Sequence, residues 1–178
     1  IVNVVGSSIA REAKKVLYIK AGCEIAVATT KAFTAQYLLL VLIALKMAGI
    51  NDLSNFNKIN KNLTKVFEID YKSYAKKIYK NSSAFFIGRG IDYGLCEEGS
   101  LKLKEISYIN SSAFASGELK HGTISLIEEK TPVISIITDK DLALKTISNI
   151  KEVHTRGAYS LFITSLNLTG DFYDDIIN

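Results

Sequence analysis

The sequence contains few of the residues that build metal or redox sites. Its 178 residues include only two cysteines and two histidines, and these lie scattered along the chain. Their scarcity predicts neither a metal site nor a disulfide framework. No secretory leader opens the sequence, so we expect a reduced, cytoplasmic protein. It also lacks a Walker-type phosphate loop and a dinucleotide fingerprint, and we therefore expect no cofactor.

The chain also has no block of like charge and no apolar run long enough to cross a bilayer. The net charge of +4 comes from lysines spread over the sequence, which predicts neither nucleic-acid nor membrane binding. The longest apolar segment, residues 37–45, is bounded by Lys31 and Lys46. A membrane span needs about 20 residues, so this segment predicts a buried helix instead.

Strand-like and helix-like segments alternate along the chain. Short β-branched or aromatic runs predict strands at 1–5, 16–20, 83–88, 111–115, 132–138 and 159–164. Helical spacing predicts helices at 30–48, at 140–152, between strands 83–88 and 111–115, and once or twice within 51–80. This alternation predicts an α/β fold with mainly parallel sheets. We expect residues 1–50 and 72–178 to form separate domains joined by a helical linker at 51–71.

The stretch from Glu98 to Glu105 carries the strongest chemical signal. On a helix with about 100° per residue, Glu98, Lys102 and Glu105 project from one face. Four apolar residues share that arc, namely Leu95, Leu101, Ile106 and Ile109. An apolar stripe normally turns towards the core, so this pattern predicts that the three ionisable groups face inward. Buried charges are costly unless they are paired or used, which suggests a functional site.

These residue types suit proton transfer next to a carbonyl group. Aldose–ketose isomerisation needs a carboxylate base, for which Glu105 is suited, and an acid that protonates oxygen. Lys102 could donate to a sugar hydroxyl or hold the carboxylates, and Glu98 could anchor the lysine from one helical turn away. His121 lies on a glycine-bounded loop, as expected for a group presented to a cavity. The alternative is that these pairs are ordinary surface charges.

Several motifs together resemble a known enzyme family. They are residues 86–90 (FIGRG), 98–109 (EGSLKLKEISYI) and 117–122 (GELKHG), with residues 21–36 (AGCEIAVATTKAFTAQ) further upstream. This set resembles the isomerase half of the glutamine–fructose-6-phosphate aminotransferases. The resemblance implies two flavodoxin-like sugar-isomerase (SIS) domains, of which the first would be incomplete here.

The resemblance also implies catalytic roles for three residues. Glu105 matches the base that moves a proton between C1 and C2 of the sugar. Lys102 matches a lysine that assists proton transfer at a sugar oxygen. His121 matches a histidine associated with ring opening, which in the family reaches the site of the neighbouring subunit. A homodimer is therefore expected.

Three further residues match positions that contact the substrate. Val27 and Thr29 match loop residues that touch the sugar, with Thr29 standing where a serine is common. Glu98 matches an acidic partner within the site helix. The implied substrate and product are fructose 6-phosphate and glucosamine 6-phosphate.

The family enzymes also contain parts with no counterpart in this sequence. Their glutaminase domain supplies ammonia, and a serine- and threonine-rich loop holds the sugar phosphate. We therefore expect the chain to be a central part of a longer enzyme and to be inactive alone. Two other readings remain open at this point: a stand-alone SIS phosphosugar isomerase or deaminase, and a non-catalytic module that senses a sugar phosphate.

Overall fold

The chain folds into two compact units. The computed structural model describes residues Ile1–Asn178, and its units are Ile1–Asp70 and Tyr71–Asn178. The predicted domains at 1–50 and 72–178, with their linker at 51–71, remain a prediction.

The first unit is helical and contains no sheet. Its helices are α1 (Ser8–Glu12), α2 (Lys31–Met47) and α3 (Ser54–Val66). The predicted strands 1–5 and 16–20 meet only in one parallel bridge, between Val2 and Tyr18. The predicted helix over 30–48 is confirmed as α2, and Gly49 follows it with a φ of +74° that suits glycine.

The prediction that the apolar segment of α2 is buried is wrong. Ala32 is the only buried residue of this helix, and the Leu40 side chain is 52% exposed. The physical reason is that the first unit forms no sheet against which the apolar face can pack. No helix of the chain has both the length and the apolar character that a membrane span requires.

The second unit is a parallel α/β sandwich. In chain order it contains α4 (Tyr71–Ile78), β1 (Ser83–Gly88), α5 (Ile91–Ser107), β2 (Asn110–Ala115), β3 (Pro132–Ile137), α6 (Lys140–Thr155), β4 (Tyr159–Thr164) and β5 (Asp175–Ile177). Two 3-10 turns, Leu119–His121 and Thr123–Leu126, lie between β2 and β3. The strand order is β2-β1-β3-β4-β5, and every pair is parallel.

This topology confirms the predicted α/β class with a parallel sheet, because the order is that of flavodoxin-like folds. The second sheet that would make two such domains does not form in this chain. Sequence patterning missed β5, since three residues are too short to show a period of two.

Helices cover the two faces of the sheet unequally. On one face, α5 packs over β1, β2 and β3, and the core there includes Phe86, Ile109 and Leu161. On the other face, α6 packs over β3 and β4, around Val133 and Phe162. Because the chain buries both faces of the central strands, those strands read as continuous apolar runs.

The start of α5 approaches the end of β1 very closely. A Cβ atom at Gly88 would lie 2.7 Å from the backbone carbon and oxygen of Asp92. The Asp92 side chain is buried and accepts hydrogen bonds from the Thr138 backbone N–H (2.8 Å) and hydroxyl (2.5 Å). These contacts join the amino end of α5 to the carboxyl ends of β1 and β3.

Replacing Gly88 with alanine should therefore destabilise the second unit. The added methyl group meets backbone rather than a flexible side chain, and overpacking of this kind costs about 1–3 kcal/mol. We expect Gly88→Ala to lower the free energy of unfolding in urea and to speed hydrogen exchange of the β1 amides.

Gly94→Ala is the matched control. Gly94 lies within α5, and a Cβ atom there meets nothing within 4 Å. Alanine favours a helix over glycine by roughly 0.5–1 kcal/mol, so this variant should be as stable as the parent or more so. Equal decreases in the free energy of unfolding of Gly88→Ala and Gly94→Ala would contradict the close approach of the backbone at Gly88.

Candidate active site

Three ionisable side chains meet on α5, as the sequence predicts. Lys102 Nζ donates a hydrogen bond to Glu105 Oε2 at 2.6 Å and lies 3.5 Å from Glu98 Oε1. The three side chains are between 20% and 23% exposed, so each is mostly covered but still reaches solvent. We call Glu98, Lys102 and Glu105 the α5 trio.

The prediction that the α5 trio faces the core is wrong. The buried residues of α5 are Asp92, Cys96 and Ser100, on the side that faces the sheet. The apolar residues that share the arc of the trio within the helix are exposed, and Ile106 is 65% exposed. The physical reason is that Asp92 bonds Thr138 and that small side chains let the helix lie close to the strands.

The sheet-facing arc of α5 is held by further polar contacts. Ser111 on β2 donates to the Ser100 carbonyl at 2.6 Å, and the two hydroxyl groups lie 3.1 Å apart. Burial raises the pKa of the Cys96 thiol to about 12, which leaves this cysteine protonated and unreactive. The sheet-facing arc is therefore structural, and the ionisable residues of the α5 trio lie on the outward face of the helix.

The α5 trio is a charged network rather than a set of isolated groups. The hydrogen bond to Glu105 raises the pKa of Lys102, desolvation opposes that rise, and the charge of Glu98 adds to it. Lys102 donates to Oε2 of Glu105, and the other carboxylate oxygen, Oε1, has no hydrogen-bond partner within the protein. That oxygen remains available to accept a hydrogen bond from another molecule.

His121 lies on a separate element of the same unit. It ends the first 3-10 turn, is exposed, and shares no hydrogen bond or ion pair with the α5 trio. Its backbone N–H donates to the Glu118 carbonyl at 3.0 Å, and Gly122 follows with a φ of +131°. The predicted loop is thus an ordered turn that presents the imidazole to solvent.

Arg89 supports the start of that turn, a role that the sequence did not reveal. Its Nε donates to Ser116 Oγ at 3.0 Å, and a Cβ atom at Gly117 would lie 3.0 Å from its Nη2. Arg89 follows β1 and Ser116 follows β2, so both lie at the carboxyl edge of the sheet. The Gly88-Arg89-Gly90 motif was a weak signal for this edge.

The two remaining predicted residues lie in the first unit. Thr29 is half-buried and lines an open cavity of about 780 Å³ together with Cys23 and Glu24. Val27 is 83% exposed and lies outside the lining of that cavity. Glu24 Oε1 accepts a hydrogen bond from the Ala32 N–H at 2.9 Å, which caps the start of α2.

None of the described cavities includes a side chain of the α5 trio or His121 in its lining. The trio instead forms a charged patch on the surface of the second unit. No cluster of three or more His, Cys, Asp or Glu side chains has an arrangement that could hold a metal ion.

Replacing Glu105 with glutamine should lower the pKa of Lys102 towards that of an ordinary lysine, because the main cause of its rise is removed. A lysine whose pKa is higher in the folded chain than in the unfolded chain stabilises the fold. This contribution is complete at pH values below the pKa of the unfolded chain, and it is lost as the pH rises through the pKa of the folded chain. An NMR titration of the lysine side chains measures the change. Glu97→Gln replaces an exposed carboxylate of α5 and should leave the pKa of Lys102 unchanged. An equal fall in the pKa of Lys102 in both variants would contradict the pairing of Lys102 with Glu105.

Comparison with known proteins identifies a family for this chain. Residues 77–169, just over half of the chain, match the family model for the SIS domain. The chain is 50% identical to a glutamine–fructose-6-phosphate aminotransferase (isomerizing) from Caldanaerobacter subterraneus subsp. tengcongensis, over 89% of this chain and 28% of that protein. The chain thus spans less than a third of the length of this curated relative.

Solved structures show the same similarity. The C-terminal domain of glucosamine-fructose-6-phosphate aminotransferase from Francisella tularensis superposes with a TM-score of 0.81 and 32% identity, over 98% of this chain and 53% of that one. A glucosamine-6-phosphate deaminase from Thermotoga maritima gives a TM-score of 0.75 and 25% identity, over 88% and 48% of the two chains. With its parallel sheet and its match to the family model, the chain belongs to the SIS domain family.

Proposed function

We propose that this chain is the sugar-isomerising region of an enzyme that makes glucosamine 6-phosphate from fructose 6-phosphate and glutamine. The observation that carries the proposal is the α5 trio, in which one lysine joins two carboxylates on the outward face of an SIS helix. The 50% identity to a glutamine–fructose-6-phosphate aminotransferase supports fructose 6-phosphate as the substrate.

In this proposal, Glu105 is the base. Ammonia first condenses with the C2 carbonyl and releases water, which gives an imine. The free oxygen Oε1 then takes a proton from C1 and returns it to C2, while the C1 hydroxyl loses its proton and the nitrogen gains one, so the ketose skeleton becomes a 2-amino aldose. The hydrogen bond from Lys102 to Oε2 holds the carboxylate in one orientation. A base with one fixed and one free oxygen is suited to shuttle a proton between adjacent carbons.

Lys102 assists proton transfer at a sugar oxygen, and Glu98 keeps the ammonium in place. The ammonium has three donors, of which Glu105 takes one at 2.6 Å while Glu98 lies at 3.5 Å. At least one donor remains for the substrate oxygen on which negative charge develops. We also propose Val27 and Thr29, which lie in the first unit, as sugar-binding residues because they match such positions in the family.

His121 acts in ring opening, and we propose that it serves the site of the neighbouring subunit in a homodimer. Its exposure and the lack of a contact with the α5 trio of its own chain support this assignment. The exposed apolar residues beside the trio, such as Leu95 and Ile106, are of the kind that a subunit interface covers. We further propose a glutaminase domain elsewhere in the same polypeptide and a location in the cytoplasm.

A second candidate is a stand-alone phosphosugar deaminase, which the structural similarity to the Thermotoga maritima protein favours. The two candidates differ in their nitrogen donor, because a deaminase releases ammonia and does not use glutamine. Glutamine-dependent formation of glucosamine 6-phosphate therefore separates them.

Replacing Glu105 with glutamine in the complete natural polypeptide should abolish most of the activity. Loss of a positioned general base lowers kcat by about 10²–10⁴-fold. The assay measures glucosamine 6-phosphate formed from fructose 6-phosphate and glutamine, and substrate binding should persist. Glu97→Gln is the matched control on α5 and should retain activity. Full activity in Glu105→Gln would refute the assignment of the base.

Mixing two inactive variants tests the proposed homodimer. If His121 serves the partner's site, a mixed dimer of Glu105→Gln and His121→Gln has one site with both residues intact. Random reassociation of equal amounts should then restore about one quarter of the parental activity, since half of the dimers are mixed. If both residues serve their own subunit, the mixture should stay as inactive as its components.

A further inference from the structure

A cavity lies at the amino end of the sheet, opposite the edge that carries Arg89 and α5. It has a volume of about 310 Å³ and is lined from β1 by Ser83 and Phe85 and from β2 by Asn110, Ser112 and Phe114. The parallel register pairs Ser83 with Asn110 and Phe85 with Ser112, so these side chains share one face of the sheet.

The cavity exists because no helix covers this part of the sheet. α5 packs on the opposite face of β1 and β2, whereas α6 covers β3 and β4. Over β1 and β2 the 3-10 segment fills the central part, where Leu119 and Ile124 join the core. The amino ends of the two strands remain open.

Three polar side chains of this cavity have no hydrogen-bond partners within the protein. The side chains of Ser83, Asn110 and Ser112 make no hydrogen bonds, although Ser83 and Ser112 are half-buried. Ser111, which faces the other side of the same strand, is fully bonded to Ser100. The two partly covered hydroxyl groups and the exposed Asn110 amide are therefore available to a ligand.

The floor of the cavity is aromatic. The rings of Phe85 and Phe114 lie 6.1 Å apart between centroids and are tilted by 40°. Aromatic rings with hydroxyl and amide groups beside them offer contacts to both the C–H and the O–H groups of a pyranose ring.

The only charged residue in the lining is Glu128. Glu128 is exposed, and a turn fixes its backbone, because the Glu128 N–H donates to Thr131 Oγ1 at 3.0 Å and the Thr131 N–H donates to the Glu128 carbonyl at 3.1 Å. A carboxylate without a cation in the lining favours a positively charged ligand and disfavours a phosphate ester.

We propose that this cavity is a second ligand site, which binds a hydroxyl-rich amine of the amino-sugar class and rejects its phosphate ester. The amine pairs with Glu128, the hydroxyl groups bond Ser83, Asn110 and Ser112, and the ring lies against the aromatic floor. The site is separate from the α5 trio, and the proposal does not rest on the proposed catalytic function.

NMR titration of the ¹⁵N-labelled chain tests the site with three matched probes. D-glucosamine should shift the amide signals of Ser83, Asn110 and Ser112 in a saturable way. N-acetyl-D-glucosamine lacks the charge and should bind here about five- to tenfold more weakly. D-glucosamine 6-phosphate should leave these three amides unshifted, whatever it does to the amides of α5.

Two variants complete the test. Glu128→Gln should weaken D-glucosamine binding about five- to tenfold, to the level of the acetylated probe. Glu129→Gln removes the neighbouring carboxylate, which does not line the cavity, and should change the affinity less than twofold. Unshifted amides at the three positions, equal binding by Glu128→Gln and the parent, or tighter binding of the phosphate ester would overturn the proposal.

Discussion

The orientation of α5 depends on hydrogen bonds made by two of its buried side chains. The Asp92 carboxylate accepts two hydrogen bonds from Thr138 just after β3, and the Ser100 hydroxyl shares a hydrogen bond with the Ser111 hydroxyl on β2. These hydrogen bonds connect the sheet-facing arc of α5 to the strands at two points. Breaking them would leave buried polar groups without partners, which is costly. The helix cannot rotate without breaking them, so its opposite face must point outward.

Because of this constraint, the α5 trio is partly exposed rather than buried. Glu98, Lys102 and Glu105 sit between exposed apolar residues, partly covered by one another and open on one side. The hydrogen bond from Lys102 fixes one oxygen of Glu105 and leaves the other free, which is the geometry on which the proposed proton transfer rests. His121 lies on a separate exposed turn, whose start is supported by the hydrogen bond from Arg89 to Ser116.

The local elements of the second unit could be predicted closely from the sequence. Strands 83–88 and 159–164 and the helix that carries the α5 trio follow from uninterrupted apolar or periodic segments. β5 was missed because its three residues show no pattern and are held by their neighbours, including Lys77 and Tyr159, which both bond Asp175. The burial of α2 was misjudged for a related reason, since an apolar helix is buried only where a second layer forms.

The sequence by itself determined that Glu98, Lys102 and Glu105 meet, because helical spacing alone brings residues i, i+4 and i+7 together. It also determined the α/β class, because strands alternate with helices. Only the tertiary structure decided which way the trio points. Apolar content favoured the inward direction, but specific hydrogen bonds and the close approach at Gly88 favoured the other face. Burial follows from contacts with distant strands, which periodicity along one helix cannot encode.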